Sequence, residues 1–288
     1  MGITITEANV KGILTRTRGF LKTVASHSLQ PYRGCTFGNA LCGVGCYVQH
    51  NTFLTRQAPW GSFLEARVNA AEAYHRHYAR EKRWAQQARG HFAIFMSSAT
   101  DPFVPQEDRF RVTQKLLEAM ITQPPEVLIL QTYTHRVTAY PELYQALAQR
   151  CTLRFHISIE SDWERFPGLP APASSVQRRF AAAATLKQAG LRVVIIVSPL
   201  LSIAHPQQFF QTVAENADAV VLDHFIQGDG MPEGTRTLKT ALPEAMARIN
   251  PESTSLQYRD RMIAIAQDIL PGRVGVSVDG FAGRFLSR

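Results

Sequence analysis

The chain has 288 residues, 45% of them hydrophobic and 19% charged, enough to bury a full core without disulfide staples. No run of about eighteen apolar residues is present, and the opening MGITITEANVKG lacks the basic-then-apolar layout of a secretory signal. A cytoplasmic protein with no membrane contact is expected; its net charge of +8 favours anionic partners, nucleic acid among them, although the positive residues form no stripe.

In chain order, a strand is expected near 28–32, followed by a cysteine-rich loop at 35–46 and a long helix over 62–87. Apolar runs then recur at 91–97, 127–131, 153–159, 191–197 and 219–222, short and rich in branched or aromatic residues, as buried parallel strands are. Helices are expected between them over 106–122, 141–149, 174–188 and 206–217. A helix over 255–269 and a strand over 274–278 close the chain. Strand–helix alternation implies a parallel sheet. About six such units are too few for a closed eight-fold barrel. The expected fold class is therefore α/β, a partial (β/α)6 TIM-like barrel over 28–237, with an N-terminal segment (1–27) and a C-terminal helix/strand extension (238–288) packed on it. In barrels the working residues sit at the carboxyl ends of strands. Polar residues do gather there: Ser97, Ser98, Thr100 and Asp101; Thr132 to His135; Ser158 and Glu160; Ser198; Asp223 and His224.

Three of the four cysteines fall within twelve residues. Six residues separate Cys35 from Cys42, three separate Cys42 from Cys46, and glycines at 34, 38, 43 and 45 let the loop fold tightly. Thiolates are soft ligands that select iron–sulfur clusters or zinc. A cube held by three thiolates keeps one iron open for another ligand. The other reading is a zinc site completed by His50. Cys151 opens a strand and reads as a core residue. Asp223 and His224 are either an acid/base pair facing a substrate or strand-end groups bonded to each other.

At these residues the chain resembles the spore photoproduct lyase-like group of the radical S-adenosylmethionine superfamily. The family's Asn-Pro-Tyr-Arg-Gly-Cys lead-in resembles Gln30-Pro31-Tyr32-Arg33-Gly34-Cys35, and its Cys-Tyr-Leu-Gln resembles Cys46-Tyr47-Val48-Gln49. Its Thr-Asp-Pro-Tyr-Gln-Pro-x-Glu resembles Thr100-Asp101-Pro102-Phe103-Val104-Pro105-Gln106-Glu107. Ser158-Ile159-Glu160 and Asp223-His224-Phe225 resemble later strand ends.

The resemblance implies a [4Fe–4S] cluster on Cys35, Cys42 and Cys46, and reductive cleavage of S-adenosylmethionine to a 5′-deoxyadenosyl radical that abstracts hydrogen from an unknown substrate. It also implies a flavodoxin- or ferredoxin-type reductant. Tyr47 is implied beside the cofactor as a catalytic residue. Ser98, Thr100, Asp101, Thr132, Tyr133, Thr134, Ser158, Glu160 and Ser198 are implied as cofactor-binding. The alternative is a non-catalytic or zinc-containing barrel that binds nucleic acid. Three departures stand out. The cysteine spacing is six and three instead of three and two, the family's carboxylate-pairing lysine is Tyr133, and its hydrogen-donor cysteine falls at Ser98. His135 or Arg136 is expected to replace the lysine's charge.

Overall fold

The computed structural model describes residues 2–287. Its strands are β1 (Thr4–Ala8), β2 (Leu14–Arg16), β3 (His27–Leu29), β4 (Tyr32–Gly34), β5 (Phe63–Arg67), β6 (Ala93–Met96), β7 (Val127–Thr132), β8 (Thr152–Ser158), β9 (Arg192–Val197), β10 (Ala219–Leu222) and β11 (Val274–Val276). Eight form one sheet in the order β11-β10-β9-β8-β7-β6-β3-β2. All neighbours run parallel except β2 against β3. Strands β3 and β6 to β10 therefore lie side by side in chain order. This is the expected open (β/α)6 arrangement, with helices Ala70–Arg89, Val112–Thr122, Pro141–Ala148, Val176–Gln188 and Pro206–Asn216 between successive strands. Among the described residues no helix is long and apolar enough to cross a membrane.

The strand sequences produce two buried faces. Ile94, Leu128, Phe155, Val193 and Val220 join the core shared with the helices. Their neighbours Phe95, Ile129, Val194 and Val221 point the other way, into the barrel interior, with Phe281. Phe281 comes from the short helix Ser277–Phe281 and meets Phe20, from the turn Gly19–Thr23, edge to face at 5.5 Å. Both flanking segments thus fill the interior of the barrel.

Four elements differ from the sequence expectation. The helix expected from 62 begins at Ala70. Residues Phe63–Arg67 alternate in burial and form β5, which pairs with β1 and β4 in a separate three-stranded sheet. The strand expected near 28–32 is split at Gln30-Pro31. Leu29 ends β3 in the main sheet and Tyr32 starts β4 in the small one, because proline offers no N–H to a ladder. The helix expected over 106–122 breaks at Arg111, whose φ is +51°. The last strand stops at Val276 and turns into a helix.

That break at Arg111 is organised by Glu107. Its buried carboxylate accepts from the hydroxyls of Tyr32 and Tyr140 and from the backbone N–H groups of Thr113 and Gln114 at the next helix's start. Bonds to a charged acceptor are worth about 1.5–3 kcal/mol each, without simple additivity. Glu107→Ala should lower the unfolding free energy by about 2–4 kcal/mol in urea denaturation. A loss under about 0.5 kcal/mol would show that these contacts do not fix the break.

Candidate active site

The cysteine loop leaves β4 at Gly34 and returns beside the barrel mouth at Cys46. Backbone packs directly on backbone within it. A Cβ on Gly38 would lie 2.1 Å from the Gly61 Cα, and one on Gly43 would lie 2.0 Å from the Phe37 carbonyl and 2.5 Å from the Gly38 Cα. Only glycine fits at either position. Cys42 sits in the turn Leu41–Val44 and Cys46 precedes the turn Tyr47–His50. All three sulfur-bearing residues line one cavity of about 500 Å³.

Burial pushes the Cys35 thiol up to about 12 and Cys46 to about 11. Cys42 rises well above the ordinary thiol range through burial, with Cys35, Glu160, Cys46 and Asp101 adding like charge. The Cys42 thiol thus feels both of the others, and burial favours the neutral form of each. Among the described residues no three His, Cys, Asp or Glu side chains are placed to grip a single ion. His50 is exposed and lies outside the cavity lining. A cube places its three thiolates on three different irons, a wider spacing than a single ion requires.

The cavity opens at the carboxyl ends of the parallel strands. Tyr47, Ser98, Thr100 and Asp101 line it, as do Tyr133, Glu160 and Ser198. Thr132, Thr134 and Ser158 stand behind the wall. The Thr132 hydroxyl donates to Asp101 at 2.9 Å, and Thr134 caps the following turn by accepting from the Arg136 N–H. Ser158 is fully buried and accepts from Gln131 at 3.5 Å. Asp101 also accepts from the backbone of Phe103 at 2.8 Å and Tyr133 at 2.7 Å, so it fixes the rim. Glu160 is paired at 2.7 Å with Arg179, which is only 1% exposed. The Tyr133 hydroxyl donates to the Ser198 carbonyl at 3.3 Å, and burial with the nearby Glu160 pushes its phenol well up.

Neither expected replacement for the lysine reaches the cavity. His135 bonds Ser174 at 2.7 Å and Arg136 pairs with Asp108. The arginines among the residues that line the cavity are Arg18 and Arg236, neither of which was expected there. His224 is committed to structure. Its Nε2 lies 3.0 Å from the Ser253 carbonyl, and its Nδ1 accepts from the Ile226 N–H. That network assigns the neutral Nε2–H tautomer, and His224 forms no pair with Asp223. Gln131 was also missed, although alternation could have found it, two residues beyond the inward Ile129. It lines the cavity together with Ser97, one of the expected strand-end polar residues, and the Ser97 Oγ and Gln131 Oε1 are buried without a partner. Cys151 packs against the core, as expected.

Burial holds Asp101 at about 6, above its ordinary 3.8, against the opposing pull of its three donors. A carboxyl raised on folding favours the fold while protonated and loses that contribution as pH climbs through the folded value. The stability of the wild type relative to Asp101→Asn should therefore fall between about pH 4 and about pH 6 in paired urea titrations. A pH-independent difference would refute this assignment.

No family model matches the sequence, and no curated protein does. Solved structures do match. A cysteine-to-alanine mutant of spore photoproduct lyase with dinucleoside spore photoproduct superposes with a TM-score of 0.62 at 14% identity, covering 96% of this chain and 81% of that one. The same mutant in a second structure gives 0.59 at 14% identity over the same shares. The cobalamin-dependent S-adenosylmethionine radical enzyme OxsB with aqua-cobalamin reaches only 0.42, at 14% identity over 81% of this chain and 30% of its own. The chain thus has the fold of spore photoproduct lyase, an open α/β barrel whose thiol-lined cavity lies at the carboxyl ends of its strands.

Proposed function

We propose that this protein is a radical S-adenosylmethionine enzyme with a [4Fe–4S] cluster held by Cys35, Cys42 and Cys46. The observation that carries the reading is the convergence of three thiols on one cavity, on a loop fixed by glycine-to-glycine packing, at the working end of a six-strand partial barrel. The donor set fits the group: three soft sulfurs, and beside them two buried polar atoms, Ser97 Oγ and Gln131 Oε1, with no protein partner. Bound there, cluster and cofactor would supply one-electron cleavage of a carbon–sulfur bond and so a radical able to abstract hydrogen.

The chain's own residues supply placement and exclusion of water. Asp101 locks the backbone of Phe103 and Tyr133 and so sets the rim that would receive the cofactor. Tyr133 and Ser198 are tied together across the cavity, and Thr100 and Ser98 line the side nearest β6. Thr132, Thr134 and Ser158 support this rim from behind. Tyr47, 36% exposed, stands at the mouth beside Cys46 and would shield the reacting centre. A flavodoxin- or ferredoxin-type protein is the reductant in this reading.

The spore photoproduct lyase neighbour was solved with a dinucleoside, and the chain's +8 charge suits an anionic substrate such as nucleic acid. Ser98 stands where the resembled family has its donor cysteine. An O–H bond is too strong to quench a carbon radical as a thiol does, so the reaction here differs from direct dimer reversal.

Anaerobically reconstituted protein should be brown and carry about four irons per chain. With dithionite and S-adenosylmethionine it should release 5′-deoxyadenosine. Cys35→Ala, Cys42→Ala and Cys46→Ala should each lose most of the iron and all of the nucleoside product. Stoichiometric zinc without iron, or a full cluster with no 5′-deoxyadenosine, would overturn the reading.

A further inference from the structure

The net charge is unevenly placed along the chain. Residues 1–100 hold twelve lysines and arginines against four carboxylates, and residues 101–288 hold nineteen of each. The whole +8 therefore belongs to the third of the chain that carries Cys35, Cys42 and Cys46. Two of the four carboxylates there are already engaged. Glu81 is buried among Arg16, Arg80 and His27, and Glu65 pairs with Arg33 at 2.7 Å. From Gly34 to Leu64, the stretch that holds the three cysteines, no carboxylate occurs at all.

This acid-free stretch also displays the most open large apolar side chain among the described residues. Phe53 is 85% exposed, against 55% for the next, Leu238. The ring does not sit on a loose loop. It lies on the short helix Thr52–Thr55, where the Asn51 side chain accepts from the N–H groups of Phe53 and Leu54. The Leu54 carbonyl accepts from the Arg33 guanidinium at 3.0 Å, and Thr55 is buried. Hydrogen-bonded turns join the helix to the thiol site. The Cys46 carbonyl accepts from the Gln49 backbone N–H at 3.2 Å and from its side chain at 2.9 Å, and the Val48 carbonyl accepts from Asn51 at 2.9 Å. Arg56 follows the helix with its side chain 70% exposed, and Glu65, which lies 4.0 Å from it, is held by Arg33.

A ring held rigid in water gains nothing until another surface covers it. Protein interfaces concentrate aromatic and arginine side chains at their anchor points, whereas a phosphate backbone is met by several cations at once. This stretch offers one projecting ring and one exposed guanidinium, so it suits a protein face. The positive third of the chain around it selects an acidic one. The partner that must approach the thiol site from outside is the source of its electrons.

We propose that Phe53 and Arg56 anchor the docking surface for the reductant, a small acidic electron-carrier protein. This rests on the radical reading of the cavity and adds to it the face through which the electron enters. One electron leaves the reduced carrier and is taken up at the metal site of Cys35, Cys42 and Cys46, and the carrier is oxidised by one electron. Phe53 supplies the apolar anchor, Arg56 faces a carboxylate of the carrier, and the remaining charge of residues 1–100 steers the approach.

The test uses the full chain with its iron reconstituted, and an acidic flavodoxin and an acidic ferredoxin as carriers. Reduction is followed by stopped-flow absorbance, with dithionite as the carrier-free control. At least one carrier should reduce the wild type at a rate that falls at least about tenfold between 50 and 300 mM salt. Phe53→Ala and Arg56→Glu should each slow that reduction at least about fivefold, the size expected of an interface anchor. Both variants should keep the wild-type iron content and the wild-type rate with dithionite. Unchanged carrier rates in both variants, a rate indifferent to salt, or an equal loss with dithionite would overturn the proposal. So would weaker binding of a fluorescent DNA duplex by both variants with carrier rates intact, which would assign the patch to nucleic acid. Carrier binding to the iron-free chain is titrated in parallel by NMR and should weaken in both variants. A wild type that takes up no iron would remove the radical reading, and the titration then judges the docking surface by itself.

Discussion

The contact of Gly38 with Gly61 and Gly43 is the constraint on which the site depends. A loop of twelve residues from Cys35 to Cys46 has many ways to hold three side chains apart. Here the chain is stacked backbone on backbone, with no space for a Cβ at Gly38 or Gly43. The backbone path that carries the three cysteines is thereby set by main-chain contact. A longer loop than the resembled family's carries only a small closure cost, about 0.6 kcal/mol per doubling of length. Leu41 adds a further tie through its N–H to the Ala171 carbonyl at 3.0 Å, and Gly45 rests on Leu242. The loop is therefore anchored to β5's lead-in, to the segment after β8 and to the C-terminal region together.

Around that loop the barrel is divided by height. Low in the interior, Phe95, Ile129, Val194 and Val221 are closed over by Phe281 and Phe20. One step nearer the carboxyl ends, the same inward positions become Ser97, Gln131, Ile196 and Asp223. Three of these four carry a buried polar atom with no partner. The alternation of a strand places apolar and polar residues on one face at successive turns of the pleat. The change from one to the other marks where packing stops and binding begins.

Much of this was legible because buried parallel strands are written in short branched runs. Residues 219–222 are β10 as expected, and β7 to β9 are found within a residue or so. The three cysteines stood out because they are close in sequence, and all three do line the one cavity. What the sequence did not reveal is long-range. Phe63–Arg67 reads as the start of a helix until β1, sixty residues away, offers it a parallel partner. Arg18 and Arg236 carry no local signal, since an arginine reads as a surface charge until the fold brings it to a cavity. His224 looked free to act because its two partners, the Ser253 carbonyl and the Ile226 N–H, are backbone groups that no motif records.

Where the resembled family carries a lysine, this chain has Tyr133. Tyr133 does not reproduce a cation. Its hydroxyl reaches across to the Ser198 carbonyl and stiffens the rim. Positive charge instead reaches the cavity from outside the strand ends. Arg18 comes from the segment before β3 and Arg236 from the loop after β10, where the Asp229 carbonyl accepts from its guanidinium at 3.3 Å. Arg18 lies two residues before Phe20. A carboxylate or phosphate entering the cavity would therefore be met from the flanking segments and not from β7. Since a fold alone does not fix an activity, the residues that these flanking segments bring to the cavity are the part of its lining that the strand order by itself does not dictate.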